Sequence, residues 1–397
     1  MSPARRFALV SPNYYPRTCG VGDFSMRLAQ DLQRRGFECE IFSRTPAEPN
    51  PAGPDVPITG VAGATPMVIA DRIRRRIEAY APTDVVLQYT PQMFGAWRFG
   101  SAAPVWLANA ARRMGANVVV VAHELFLPWS KRPDVTLGAA LMHLQLAALL
   151  RIADRVLVTV ERRAATIRWM ARAVGRRHDV GVMRVGPNSL PHARAHQPGR
   201  FRLGTFSTLG RDKRFEVMLD CFERVRARRP EAELIVLGDL GDPALLHVRA
   251  FHDAVARHPG RERIRLTGKL PLEEIARELA TLDVYLFTMM TGANTRSGTL
   301  PVALGTGLPV VAVKGVETDG LFVDGENVVF AERLDGPAFA AAVLRVSEDA
   351  ALAGRLSAGA AALYHDHLTW ERVVDQLLSQ VDAPHPAVRT ASPSPTR

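Results

Sequence analysis

Short apolar runs and stretches of helical apolar spacing alternate along most of the 397-residue chain. Phe7-Ala8-Leu9-Val10-Ser11-Pro12 reads as a buried strand followed by a loop, Asn13 to Cys19. Gly20-Val21-Gly22-Asp23 then opens a helix. Phe24, Leu28, Ala29 and Leu32 recur at its spacing, and Arg34-Arg35-Gly36 closes it. Cys39 to Phe42 is the next strand. A β-α-β unit of this kind implies a parallel sheet. Residues 47–66, rich in Pro, Ala and Gly, read as a surface loop.

The alternation continues. An arginine-bearing helix (Arg72, Arg74, Arg75, Arg76) precedes a strand at Asp84 to Tyr89. A helix over Ala103 to Met114 precedes the β-branched strand Ala116 to Ala122, which ends in His123-Glu124. Leu137 to Leu150 is an apolar helix pattern that makes His143 a packed histidine. Strands follow at Arg155 to Val160 and near Val180 to Val185, with a helix over 161–174. Gly186-Pro187-Asn188 begins a Pro/His/Gly-rich segment, and a domain boundary is expected at 190/191.

Beyond it the pattern restarts. Strands are predicted at Phe201 to Phe206, Glu233 to Leu237, Ile264 to Thr267, Asp283 to Phe287 and Val310 to Val313. Helices are predicted at Glu216 to Arg228, about 243–257, 272–281, Ala338 to Val346 and Asp349 to His365. Asp239 and Asp242 stand where they would cap the helix near 243. Trp370 to Val381 is a last amphipathic helix, and residues 382–397, rich in Pro, Ser and Thr, read as a disordered tail.

The stretch Asn294 to Ala312 carries the most chemistry. It reads as a loop, a short helix, a Gly-Leu-Pro turn and a buried strand. Ser297 and Thr299 are types that cap helix starts, Pro301 suits a first turn, and Gly307 suits a helix end. The free N–H groups of such a start suit an anion.

Composition adds limits. Hydrophobic content of 47% and a charged fraction of 23% are ordinary for a globular protein. No apolar run reaches the roughly 18 residues of a membrane helix. No signal peptide is read at the N-terminus. Cys19, Cys39 and Cys221 are too scattered for a disulfide framework or a zinc site, so a reducing cytoplasm is expected. Net charge is +10, but residues 1–190 hold 25 Lys plus Arg against 14 Asp plus Glu, whereas the remainder is nearly balanced. That half is expected to meet an anionic partner such as a membrane surface or a phosphorylated acceptor, or to reflect an arginine-rich background. No nucleic-acid module accompanies the charge. Gly20-Val21-Gly22 lacks the third glycine and the tight turn of a dinucleotide fingerprint.

Gly238-Asp239, Leu266-Thr267-Gly268-Lys269-Leu270, Leu282-Asp283-Val284 and Gly307-Leu308-Pro309-Val310-Val311-Ala312 occur in this order in the second half. With Gly20-Val21-Gly22-Asp23-Phe24 and the strand ending at His123, they resemble the family 4 retaining glycosyltransferases across the chain to about residue 380. The resemblance implies an α/β fold of GT-B architecture, two Rossmann-like parallel-sheet domains facing a central cleft. An acceptor-side domain at 1–190 and a nucleotide-sugar-binding domain at 191–369 follow, with a helix at 370–381 returning to the first domain.

It also implies roles. Arg211 and Lys213 would act on the donor diphosphate with His123 near the transferred sugar. Gly20, Gly22 and the backbone of Ser297, Gly298, Thr299 and Leu300 would approach the phosphates. Asn294, Thr295 and Arg296 would meet the donor sugar, and Gly238, Gly268, Lys269 and Leu270 the nucleoside. Tyr14, Gln88 and Tyr89, with Tyr15, Gln92 and Phe94, are candidates for an acceptor cleft. No Asp-x-Asp stands at a strand end, so no metal is expected, and no cofactor besides the nucleotide-diphosphate sugar co-substrate. The acceptor is a glycan, a lipid-linked sugar or a small molecule.

One departure matters. The family's Glu, seven residues, Glu pattern falls on Asn294 and Val302. An asparagine can still bond a sugar hydroxyl, but a valine cannot bond a ribose. The competing reading is a GT-B protein that transfers no sugar, either a pseudo-glycosyltransferase or a nucleotide-binding scaffold.

Overall fold

A computed structural model describes residues 5–16, 19–44, 48–49, 51, 53, 55–95, 100–210 and 212–383. Arg211 and the tail from residue 384 onward lie outside the described residues.

The chain divides into two compact units. One comprises Met1–Val158, Arg163–Met183 and Val374–Arg397, and the other Thr159–Arg162 and Arg184–Val373. The division comes at Arg184 rather than at 191. The 185–188 backbone explains why: Val185 N–H donates to Thr295 O at 3.1 Å and Asn188 N–H to Gly298 O at 2.9 Å. The segment that reads as a linker is hydrogen-bonded into the second unit.

The first unit holds a parallel sheet of seven strands: β1 (Arg6–Ser11), β2 (Glu38–Arg44), β3 (Ile58–Val61), β4 (Asp84–Tyr89), β5 (Asn117–Ala122), β6 (Arg155–Val158) and β7 (Val180–Val182). Their order is β3-β2-β1-β4-β5-β6-β7. Helices α1 (Gly20–Arg34), α2 (Pro66–Tyr80), α3 (Ala103–Arg113), α4 (Pro133–Ile152) and α5 (Arg163–Ala173) connect them. The four consecutive valines of β5 are all buried, as a strand covered on both faces requires. Strand β3 corrects the expectation of a loop over 47–66: Ile41 pairs with Ile58 and Arg44 with Val61. Three β-branched residues after Pro57 (Ile58, Thr59 and Val61) are a weak local signal, and it is the neighbouring β2 that makes them a strand.

Helix α4 corrects another expectation. It is 20 residues long, and by length and composition it is apolar enough to cross a membrane. Its Leu146, Leu149 and Leu150 nevertheless belong to the core of the first unit.

The second unit holds a six-stranded parallel sheet of β8 (Phe201–Phe206), β9 (Ala232–Leu237), β10 (Ile264–Leu266), β11 (Val284–Leu286), β12 (Val310–Val313) and β13 (Val329–Ala331), in the order β10-β9-β8-β11-β12-β13. Its helices are α6 (Phe215–Arg226), α7 (Leu246–Ala256), α8 (Leu272–Ala280), α9 (Leu300–Gly305), α10 (Gly336–Glu348) and α11 (Ala350–His367). Asp335 and Asp349 cap α10 and α11 through their carboxylates. Asp242 does not cap α7. It accepts from Ala244 N–H at 2.8 Å in a local turn, and the helix starts beyond it.

Helix α12 (Trp370–Asp382) begins in the second unit and belongs to the first from Val374. The Trp370 indole N–H donates to Pro187 O at 3.0 Å. Further along, Asp375 pairs with Arg35 at 2.7 Å, and Gln380 O accepts from Arg155 at 2.6 Å.

Candidate active site

In an open parallel sheet a crevice forms beyond the carboxyl ends of the strands where the strand order reverses. In the second sheet that point lies between β8 and β11. The loops leaving these two strands run over 207–214 and 287–299. They are tied together: Arg214 N–H donates to Thr288 O at 3.0 Å and Met290 N–H to Asp212 O at 2.8 Å. Beneath them the buried Tyr285 hydroxyl donates to Phe206 O at 3.1 Å and links the two strands across the reversal.

A small polar recess of about 10 Å³ opens here, with Thr205, Ser207, Lys213, Thr288, Ser297 and Thr299 among its lining residues. Ser297 and Thr299 share a hydroxyl–hydroxyl bond of 2.8 Å. Lys213 Nζ donates to Thr208 O at 3.1 Å. Burial pushes the Lys213 ammonium below its ordinary range, Asp212 draws it back up, and Arg296 adds to the lowering. Several hydroxyls and one lysine lining the same recess suit a phosphate-like oxyanion.

Of the expected diphosphate residues, the recess gathers Lys213, Ser297 and Thr299. Thr299 stands at the N-cap position, just before α9, with helical backbone angles and makes no side-chain cap, so the expected capping is corrected. Gly298 lacks a side chain for a different reason: a Cβ there would lie 1.9 Å from Asn188 Oδ1. Leu300 is buried in the core under the loop. Arg211 lies outside the described residues.

The expected sugar contacts are bound into the loop itself. Asn294 is fully buried. Its amide donates to Gly292 O at 2.9 Å and to Thr291 Oγ1 at 3.2 Å, and its Oδ1 accepts from Arg296 N–H at 3.2 Å. Thr295 Oγ1 lies 3.0 Å from Asp319 Oδ2 and 3.2 Å from Thr159 O. Arg296 pairs with Asp212 at 3.4 Å. These residues shape the loop, which corrects the expectation that they present their polar atoms to a sugar. Val302 is fully buried in the apolar cluster that also holds Leu279, Tyr285 and Leu363.

Gly238 and Gly268 adopt positive φ of 106° and 66° and form an isolated bridge at the ends of β9 and β10. Gly238 abuts Phe206 and Ser207, which joins it to the recess. Leu270 packs against the core beside Lys269, which is exposed.

In the first unit the reversal lies between β1 and β4. Gly20 and Gly22 fall in the first turn of α1. A Cβ on Gly22 would press within 3.0 Å of Asn13 O, so this glycine lets the Asn13–Tyr14 backbone approach, whereas Gly20 has open space. Tyr14 is buried, and burial raises its hydroxyl to about 12. His123 Nε2 lies 2.7 Å from Gln88 Oε1, and its ring meets Phe24 edge-on at 5.0 Å. Burial, with Arg163 adding, pushes His123 down to about 3. The ring is therefore neutral. Tyr89 is a core residue whose hydroxyl donates to Gln145 at 2.8 Å, so it is not available to an acceptor.

Sequence reasoning missed several groups. Asp23 in the first turn of α1 is raised to about 6 by burial, with Arg27 opposing. Thr205, Ser207, Thr288, Tyr285 and Asn188 were likewise not singled out. Their position at a strand end next to Lys213 was the available signal for Ser207 and Thr288.

Residues 18–173 match the description Glycosyltransferase Family 4, and residues 200–349 match Glycosyl transferases group 1. Together these cover most of the chain. The chain is a GT-B glycosyltransferase. Solved structures agree on the fold of this glycosyltransferase. Anabaena HepE in complex with UDP and glucose is 14% identical with a TM-score of 0.70, covering 96% of this chain and 100% of that one. Sucrose-phosphate synthase from Thermosynechococcus elongatus is 17% identical with a TM-score of 0.70, covering 94% and 98%. A glycosyltransferase from Rickettsia africae is 11% identical with a TM-score of 0.71, covering 95% and 97%. No curated protein matches the glycosyltransferase by sequence. As a family member it is an enzyme that transfers a sugar from a nucleotide donor.

Proposed function

We propose a retaining, metal-independent glycosyltransferase that moves a sugar from a nucleoside-diphosphate donor to a hydroxyl of a glycan, lipid-linked or small-molecule acceptor. The observation that carries this reading is the hydroxyl-lined recess with Lys213 at the β8/β11 reversal. It suits the diphosphate, with Gly238, Gly268, Lys269 and Leu270 toward the nucleoside. HepE was solved with UDP and glucose and a pneumococcal O-GlcNAc transferase with UDP and GlcNAc, which favours a uridine donor.

In this mechanism the bond between the anomeric carbon and the β-phosphate oxygen breaks. The acceptor oxygen forms its new bond on the same face, and the acceptor proton passes to the departing phosphate oxygen. Lys213 and the recess hydroxyls stabilise the charge that develops there. His123, neutral and oriented by Gln88, is assigned to the transferred sugar, and Tyr14 and Gln88 to the acceptor side. Gly20 and Gly22 are assigned to phosphate approach. Arg211, next in sequence to Gly210, is assigned to the diphosphate with Lys213.

The basic N-terminal half is assigned a peripheral contact with an anionic membrane, and the buried free thiols of Cys19, Cys39 and Cys221 suit a cytoplasmic location. A panel of nucleotide sugars, assayed with and without chelator and followed by anomeric analysis of the product, tests the reading. Product with inverted configuration, or activity abolished by chelation, contradicts it.

A further inference from the structure

We infer that the outer side of α4 is a docking surface for an anionic lipid bilayer. This deepens the membrane contact proposed above and depends on that contact alone. Leu137, Leu141 and Leu144 recur at helical spacing and are 54%, 40% and 67% exposed. They form one stripe along a helix whose opposite side packs into the core. Trp129 is 62% exposed and stacks 5.0 Å from His143 of the same helix, which in turn stacks 3.7 Å from Phe126. The His143 ring is fixed by its Nδ1–H donating to Ala139 O at 2.7 Å. The indole is thereby held against the flank of the helix instead of being buried.

Both ends of the stripe are basic. Lys131 and Arg132 precede the helix and are exposed, and Arg132 pairs with Asp134. At the other end lie exposed Arg151 and, from α3, Arg112, which bonds Arg151 O, and Arg113. A leucine stripe with a flanking tryptophan and cations at both ends is the chemistry of a helix lying in a headgroup layer. The charge balance of residues 1–190 favours the same partner.

Two other fates fit less well. A spanning helix would have to withdraw Leu146, Leu149 and Leu150 from the core. A second copy paired through this stripe would set Lys131 and Arg132 of one chain against Arg151 of the other, or against their own equivalents. Either arrangement opposes like charges.

The test is flotation of the full chain with vesicles of equal parts phosphatidylglycerol and phosphatidylcholine, and with phosphatidylcholine alone. The chain is expected to float with the anionic vesicles at low salt and to be partly released at high salt. Leu137→Gln with Leu141→Gln and Leu144→Gln should cut binding at least about tenfold while leaving the unfolding temperature unchanged. The single variant Leu144→Glu serves if the triple one does not fold. Absence of wild-type flotation, equal flotation of the variants, or a wild-type dimer split by Leu144→Glu would overturn the proposal. A nucleotide thermal-shift measurement on the same samples separates the two readings. Nucleotide binding without flotation removes only the membrane surface, and flotation without nucleotide binding removes only the donor assignment.

Discussion

His123 Nε2 lies 2.7 Å from Gln88 Oε1, with both side chains buried at the ends of adjacent strands β5 and β4. The ring N–H donates to the amide oxygen, so the Nδ1 lone pair is the one left for another partner. The Gln88 amide nitrogen is buried without a partner in the structure. Gln88→Leu should lower kcat/KM by about tenfold to a hundredfold through loss of ring orientation. His123→Ala should lose at least as much. The check is steady-state kinetics of both variants with the best donor. Additive losses in the double variant would mean that the two act separately.

The same region sets a pH dependence of stability. His123 has a folded pKa near 3 against an ordinary 6.5, so between these values the unfolded chain binds the extra proton. Its contribution is present above pH 6.5 and is lost as pH falls, by up to about 1.4 kcal/mol per pH unit. Asp23 acts oppositely. Its folded pKa near 6 exceeds the ordinary 3.8, so its burial becomes costly as pH rises through that window. Relative to wild type, His123→Gln should become comparatively more stable as pH falls from 6.5 to 4. Asp23→Asn should become comparatively more stable as pH rises from 4 to 6. Denaturant titrations at four pH values across this range measure both slopes.

Gly298 is a packing glycine. A methyl group there would overlap Asn188 Oδ1, while Asn188 N–H holds Gly298 O at 2.9 Å. Gly298→Ala should destabilise by about 1–3 kcal/mol, the cost of overpacking. Adding Asn188→Ala should recover much of that loss. Thermal unfolding of the two single variants and the double variant closes the cycle.

Val302 stands where the resemblance places the second acid of a Glu, seven residues, Glu pattern. An acid there would place a carboxylate in the fully buried apolar cluster that holds Val302. Val302→Glu should therefore cost about 3 kcal/mol or more and should not tighten nucleotide binding. A gain in nucleotide affinity, read by titration calorimetry, would show that the buried valine hides a ribose site.

Much of this was legible in the chain itself, for reasons that can be located. The β-branched run of β5, the apolar spacing of α1 and the turn glycines Gly238 and Gly268 are local signals, and each marks the element found there. Strand β3 has too few residues to declare itself. The Tyr285–Phe206 link joins residues 79 apart, and no spacing rule anticipates it. Asn294 and Thr295 misled in an instructive way. Polar residues in a loop resemble ligand contacts, yet buried loop backbone needs the same groups for its own hydrogen bonds. Lys213 and Ser297 follow strand ends, a position visible in the sequence, and both line the recess.

The central claim is that Lys213 and the hydroxyls around it grip the departing diphosphate. The most direct measurement is kcat/KM of wild type and Lys213→Ala with the best nucleotide sugar, alongside their unfolding temperatures. Lys213→Ala should lose about a hundredfold or more with the fold retained. A folded Lys213→Ala variant with wild-type kcat/KM would contradict it.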